Sequence, residues 1–262
     1  MPYSFRNGAK TYYEVAGEGF PLVLVHANPF DRRMFLYQVA HFPTYFKVIN
    51  IDLRGYGYSD KPATPVTMTD LCEDVVALCR QEGVTEAIFL GVSVGGVMGL
   101  QLGLDHPEVF KALVLVGCSS QPGDRYQARI DGYMNESVPK YHIQHLTSLV
   151  SKDFPQTKTG KYLLGMHIEM DSRLSAPAIA QIFHALQSRD LTARLPELKM
   201  LVLVINGEFD NSLKRSKEMS TKIAGAEHHV IPDTGHACCL EDPARFDEIV
   251  LSFLRKHKFF QG

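Results

Sequence analysis

The sequence predicts an α/β fold, a mainly parallel sheet with helices on both faces and one helical insertion. Three observations lead there. Short continuous apolar runs alternate with stretches of helical periodicity, as expected for strands covered on both faces. One such run, Ala87 to Leu90, passes through Gly91-Val92-Ser93-Val94-Gly95-Gly96 into a helical stretch, Val97 to Leu104. Apolar β-branched runs then stop after about Ser119 and return at Met200.

Taken in order, the chain opens as a hairpin, with a strand near Tyr3 to Arg6, a turn at Asn7-Gly8 and a strand from Lys10 to Ala16. Pro21 to Val25 is a buried strand ending in His26-Ala27-Asn28-Pro29, and a helical segment runs from about Asp31 to Phe42. Phe46 to Ile51 is a strand that leads into Asp52-Leu53-Arg54-Gly55-Tyr56-Gly57-Tyr58-Ser59. A helix from Thr67 or Thr69 to about Gln81 presents Leu71, Val75 and Leu78 as its apolar stripe, and Gly83 closes it. After the serine turn and its helix, Lys111 to Gly117 is another buried strand. The stretch up to Leu195 is rich in Tyr, His, Met, Ser and Lys, with a helical patch at Ala178 to Leu186, and reads as an insertion laid over the core. Met200 to Asn206 restores the sheet, followed by Gly207-Glu208-Phe209-Asp210, a helix from about Ser212 to Ile223 and a last strand from Glu227 to Ile231. The closing helix takes Asp242 as N-cap and Pro243 as its first residue, and buries Phe246, Ile249, Val250 and Phe253.

With 262 residues the chain is long enough to bury a large core. It divides into a core of residues 1–120 and 197–262 and a helical segment of residues 121–196. Hydrophobic residues at 45% and charged residues at 21% describe an ordinary globular protein. A formal charge of −2, with no lysine/arginine tract, sets up no field to draw nucleic acid or an anionic membrane. The five cysteines, Cys72, Cys79, Cys118, Cys238 and Cys239, include no C-x-x-C pair and read as the reduced thiols of a cytoplasmic protein. The opening Met1-Pro2-Tyr3-Ser4-Phe5-Arg6-Asn7 lacks a signal-peptide core, and no apolar run approaches the ~20 residues that span a bilayer. Oligomeric state has no signature in the sequence.

The chemistry concentrates at the carboxyl ends of the strands, where open α/β sheets bind ligands. Ser93 sits two positions from a glycine on either side, in the strand-turn-helix setting of a nucleophile elbow. The turn is so sharp that side chains at those two places would collide. A hydroxyl at its free pKa is a poor nucleophile and needs an imidazole to take its proton. Of eleven histidines, only His236 follows the final strand and precedes the last helix. His228 and His229 read as strand or surface residues, and His142, His145, His167 and His184 fall in the insertion, where no metal-ligand pattern accompanies them. A carboxylate must orient the imidazole, and Asp210 stands in the loop after a buried strand, with Glu208, Asp233 and Asp124 as rivals. G-x-G-x-x-G is absent, so Gly55 and Gly57 form no dinucleotide fingerprint.

These features together resemble the α/β-hydrolase superfamily, in which serine, acid and histidine follow one another in this chain order. His26-Ala27-Asn28-Pro29, the Asp52 to Ser59 turn, Gly91 to Gly96 and Gly235-His236 are most similar to the small esterase, 3-oxoadipate enol-lactonase and cofactor-free haloperoxidase group. The resemblance covers Pro21 to about Ser119 and Met200 to Leu254, and implies an eight-stranded sheet with residues 121–196 as a helical cap. It implies a serine hydrolase for a small carboxylic ester or lactone, with a catalytic triad of Ser93, His236 and Asp210 and no metal or other cofactor. The oxyanion donors it implies are the N–H of Val94 and an N–H from the loop after His26. Asn28 is the first choice there; Ala27 stands where the family usually has glycine, a departure that reshapes the loop and keeps Ala27 open as the alternative donor. A C–C bond hydrolase or perhydrolase would use the same triad, and a ligand-sensing module would keep it with slow turnover. Haloalkane dehalogenases and epoxide hydrolases attack with an aspartate where this chain has Ser93.

Overall fold

A computed structural model describes residues 3–62 and 64–261; Met1, Pro2, Ala63 and Gly262 lie outside the described residues. Eight strands form one sheet: β1 (Tyr3–Arg6), β2 (Ala9–Ala16), β3 (Phe20–Val25), β4 (Phe46–Ile51), β5 (Ala87–Val92), β6 (Phe110–Val116), β7 (Leu201–Gly207) and β8 (Glu227–Ile231). Their spatial order is β1-β2-β4-β3-β5-β6-β7-β8. β1 and β2 pair antiparallel, β2 meets β4 antiparallel, and every pairing from β4 to β8 is parallel. The helices are α1 (Leu36–His41), α2 (Met68–Gln81), α3 (Val94–Asp105), α4 (Tyr126–Asn135), α5 (Val138–Thr147), α6 (Lys158–Ile168), α7 (Ala176–Gln187), α8 (Leu213–Ser220), α9 (Cys238–Glu241) and α10 (Pro243–Lys256).

The central strands are largely apolar because both faces are covered. Leu22, Leu24, Ile88, Leu90, Val114 and Leu203 point into one core with Phe246 and Val250 of α10. Val23, Phe89, Leu113 and Val204 point into the other, with Leu71, Val75 and Leu78 of α2 and Leu100 of α3. Alternate side chains of one strand therefore enter opposite cores. The helix starts follow local chemistry. Thr67 and Asp70 make a reciprocal capping box at α2, and the Asp242 side chain accepts from the Arg245 N–H at α10, with Pro243 in the first turn.

Several elements differ from the sequence-based expectation. The segment after β3 begins as a 3₁₀ turn over Arg32–Phe35 and becomes α-helical only at Leu36. α3 starts immediately after Ser93 rather than at Val97, because Val94, Gly95 and Gly96 already adopt the helical backbone. α9 lies between His236 and α10 as a short helix without a sequence signal. Between β6 and β7 the described elements are all helical: α4 to α7 with short 3₁₀ turns. Ile130 and Tyr133 of α4 and Ile179, Ile182 and Phe183 of α7 join the same core as α2 and α3, so this segment is packed onto the sheet domain. All five cysteines are free and buried. Among the described residues no helix is long and apolar enough to cross a membrane.

Candidate active site

The elbow after β5 is built by close backbone approach. A Cβ on Gly91 would overlap the backbone of Gly95, and one on Gly95 would overlap Val25 of the neighbouring strand. Only glycine at both places lets β5 turn directly into α3. Ser93 itself stands at φ 57°, ψ −111°, a region that non-glycine residues occupy only when their surroundings enforce it. Its own N–H is tied to Val116 O at 2.8 Å and its carbonyl accepts from Val97 N–H at 3.0 Å, so both sides of the strained residue are anchored.

The loop after β8 carries His236, and its Nδ1–H donates to Asp210 Oδ1 at 3.0 Å. That bond leaves Nε2 as the basic nitrogen. Asp210 is 6% exposed, and Oδ1 also accepts the Ser212 N–H at 2.8 Å. Burial raises the carboxyl pKa, but the His236 charge and these hydrogen bonds outweigh it and bring it down to about 2. For His236, burial opposes the imidazolium, yet the charge and hydrogen bond of Asp210 prevail and raise its pKa; Arg129 pulls in the other direction. The rival acids do not bond His236. The Asp124 side chain is 90% exposed and pairs with Arg215 at 2.8 Å, and Glu208 accepts the Asp233 N–H.

Ser93, His236, Asp210 and Asn28 line one cavity of about 240 Å³, roofed by α4, α5 and α7 through Arg129, His145 and Phe183. No hydrogen bond joins Ser93 Oγ to His236 Nε2, although both side chains face this cavity. Apo active sites often hold this contact loosely until substrate arrives. Two backbone donors remain free near the serine. Val94 opens α3, so its N–H has no intrahelical acceptor. In the β3 loop the Ala27 N–H is engaged with Met34 Sδ at 3.5 Å, whereas the Asn28 N–H has no acceptor among the described residues.

His26 is fully buried and holds the loop: Nδ1–H donates to Ala27 O at 2.9 Å and Nε2 accepts the Leu53 N–H at 3.0 Å. Asp52 and Arg54 do not pair with each other. Asp52 binds Arg32 at 3.0 Å and caps the Tyr58 N–H, while Arg54 binds Asp74 at 2.6 Å. His142 Nδ1 bonds Asp171, and His145 Nδ1 shares a hydrogen bond with Tyr133 Oη at 3.0 Å.

Three residues at the site carried no usable sequence signal. Gly117, at φ +58°, follows β6; a Cβ there would stand 2.8 Å from the His236 ring and 3.0 Å from Asp210 Oδ2. Arg129 is one arginine among many until α4 brings it over the cavity. Asn206, next to the last residue of β7, donates from Nδ2 to Asp210 Oδ2 at 3.0 Å.

The alpha/beta hydrolase fold model matches residues 21–243. The chain belongs to the α/β-hydrolase family. It is similar to 3-oxoadipate enol-lactonase 2 of Acinetobacter baylyi, at 24% identity over 93% of this chain and 92% of that one. Among solved structures, the enol-lactonase of Burkholderia xenovorans LB400 superposes with a TM-score of 0.91 at 26% identity, covering 97% of this chain and 100% of that chain. An esterase of Exiguobacterium antarcticum does so with a TM-score of 0.87 at 25% identity, covering 97% and 98%. This α/β-hydrolase is an enzyme, a hydrolase whose relatives include proteins named as esterases and lactonases.

Proposed function

We propose that the enzyme hydrolyses small carboxylic esters or lactones through an acyl-enzyme on Ser93. Ser93 Oγ attacks the carbonyl carbon as His236 Nε2 takes its proton. The tetrahedral oxyanion is held by the N–H groups of Val94 and Asn28. Collapse expels the alkoxide, which takes the proton back from His236. Water activated by the same nitrogen then releases the acid, and in a lactone the product is a single hydroxy acid. Asp210 keeps the imidazole in the Nδ1–H tautomer throughout. No step calls for a metal or another cofactor. The observation that carries this reading is the opening of Ser93, the Asp210-bonded His236 and Asn28 into one cavity. The engagement of Ala27 N–H by Met34 favours Asn28 as the second oxyanion donor.

In the same reading residues 121–196 are the cap that selects the substrate, and the five buried free thiols suit a cytoplasmic protein. Arg129 is partly buried, bonds Ser148 Oγ at 2.8 Å and has no carboxylate partner among the described residues. It favours a substrate that brings its own carboxylate to the cavity. The test is a panel of neutral esters, half-esters of dicarboxylic acids and lactones, turned over by the parent and by Ser93→Ala. The expected loss of kcat/KM in Ser93→Ala is at least about 10³-fold. Parental turnover by Ser93→Ala would sink the proposal.

A further inference from the structure

The strand that delivers the acid ends in a residue the hydrolytic scheme does not use. Leu201 to Ile205 are apolar, and then comes Asn206, 0% exposed. Burying a carboxamide is costly unless both of its ends are bonded, and here both are. Nδ2 lies 3.0 Å from Asp210 Oδ2 and 3.1 Å from both Ser212 Oγ and Ser216 Oγ. Oδ1 accepts from His228 Nε2–H at 3.0 Å. Two N–H groups face three acceptors, and the carboxylate holds one of them because a charge-assisted bond is the stronger. The two hydroxyls share the other, and Ser216 is itself held by donating to Cys118 O at 2.5 Å.

From the side of Asp210, Oδ1 takes the Ser212 N–H and His236 Nδ1–H, and Oδ2 takes Asn206. Without the third bond the carboxylate is fixed at one oxygen only and is free to turn about it, which moves the acceptor away from the imidazole. The sense of the amide matters equally. Turned over, it would set Oδ1 against the carboxylate. His228 on edge strand β8 opposes that turn, since its Nε2–H needs an acceptor facing it. We propose that Asn206 is a positioning residue that clamps Asp210 for His236, and that His228 holds Asn206 in the productive sense. This rests on the Ser93–His236–Asp210 reading and adds two residues that act through the acid without touching substrate. The His228 bond needs only a proton on Nε2, which the imidazolium and one neutral tautomer both supply.

The test compares Asn206→Leu, His228→Leu and His228→Gln with the parent, by steady-state ester hydrolysis and by the far-downfield proton resonance of His236 Nδ1–H. Asn206→Leu is expected to lower kcat roughly 30- to 100-fold, the scale of a misplaced catalytic group, with KM within about twofold and the downfield resonance lost. His228→Leu lowers kcat by a smaller factor, and His228→Gln restores it, because a carboxamide N–H again faces Oδ1. His228 is only partly buried on the sheet edge, so its pair of variants carries the test if Asn206→Leu does not fold. Parental kcat in folded Asn206→Leu or in His228→Leu overturns the proposal, as does His228→Gln as impaired as His228→Leu. A Ser93→Ala control separates the two readings. If it is inactive while the clamp variants match the parent, only the clamp fails; if it is as active as the parent, the triad fails with it.

Discussion

His236 is the residue on which opposing fields meet. Burial and the Arg129 charge disfavour its protonation, and Asp210 outweighs both, so its pKa lies above the ordinary imidazole value. A general base works only when neutral. The acid limb of kcat/KM is therefore expected above pH ~6.5, the unperturbed histidine value. Arg129→Gln removes a charge that resists protonation, so it should move that limb to still higher pH, read from kcat/KM profiles on a neutral ester. A limb that moves to lower pH would contradict the assignment of Arg129. Ser93, Asp210 and His236 were legible in the sequence because each follows a strand in a fixed chain order. Arg129 was not, because nothing local separates it from Arg125, Arg173, Arg189 or Arg194. Asn206 and His228 were not legible either, as their partner relation crosses from β7 to β8 and only the parallel register brings it about. The proposal of Asn28 over Ala27 rests on Met34, seven residues beyond Ala27, whose sulfur accepts the Ala27 N–H.

At the scale of elements, the site depends on how closely three strand ends approach one another. β5 delivers Ser93, β7 delivers Asp210 through a short loop, and β8 delivers His236, while β6 between them is followed by Gly117. A side chain at Gly117 would press on both the His236 ring and Asp210 Oδ2. Gly117→Ala also places a Cβ at φ +58°, which costs about 1–2 kcal/mol in the left-handed region. We expect Gly117→Ala to fold with that loss in denaturant titrations and to lose at least about tenfold in kcat, because it displaces the pair that orients the base. Unchanged kcat would show that the pair tolerates displacement. The strands and the major helices were readable from apolar runs and from the caps at Thr67 and Asp242. The helices α4 to α6 were not. Their buried positions are few, and several are Tyr or His, so the apolar stripe that marks a helix in a sequence is faint. α7 was visible because Ile179, Ile182, Phe183 and Leu186 restore the stripe.

For the whole molecule, the joint between the sheet domain and the helical segment is rich in buried imidazoles. His26, His142, His145 and His167 are all 3% exposed or less, and burial lowers the pKa of each, His167 to about 3. A histidine depressed in the folded state contributes stability above its unfolded pKa and loses it as pH falls toward the folded value. His236, with a raised pKa, works in the opposite sense as a single group. The melting temperature is thus expected to fall by about 5 °C or more between pH 7 and pH 5. A flat melting temperature over that interval would mean that these imidazoles gain access to protons without unfolding. The claim that joins all three scales is that β5 presents Ser93 as a nucleophile to a base held by Asp210. Its most direct measurement is intact-protein and peptide mass spectrometry after exposure to an alkyl fluorophosphonate. One adduct per chain, on the peptide carrying Ser93 and absent from Ser93→Ala, is the predicted result; no adduct, or one that persists in Ser93→Ala, would contradict it.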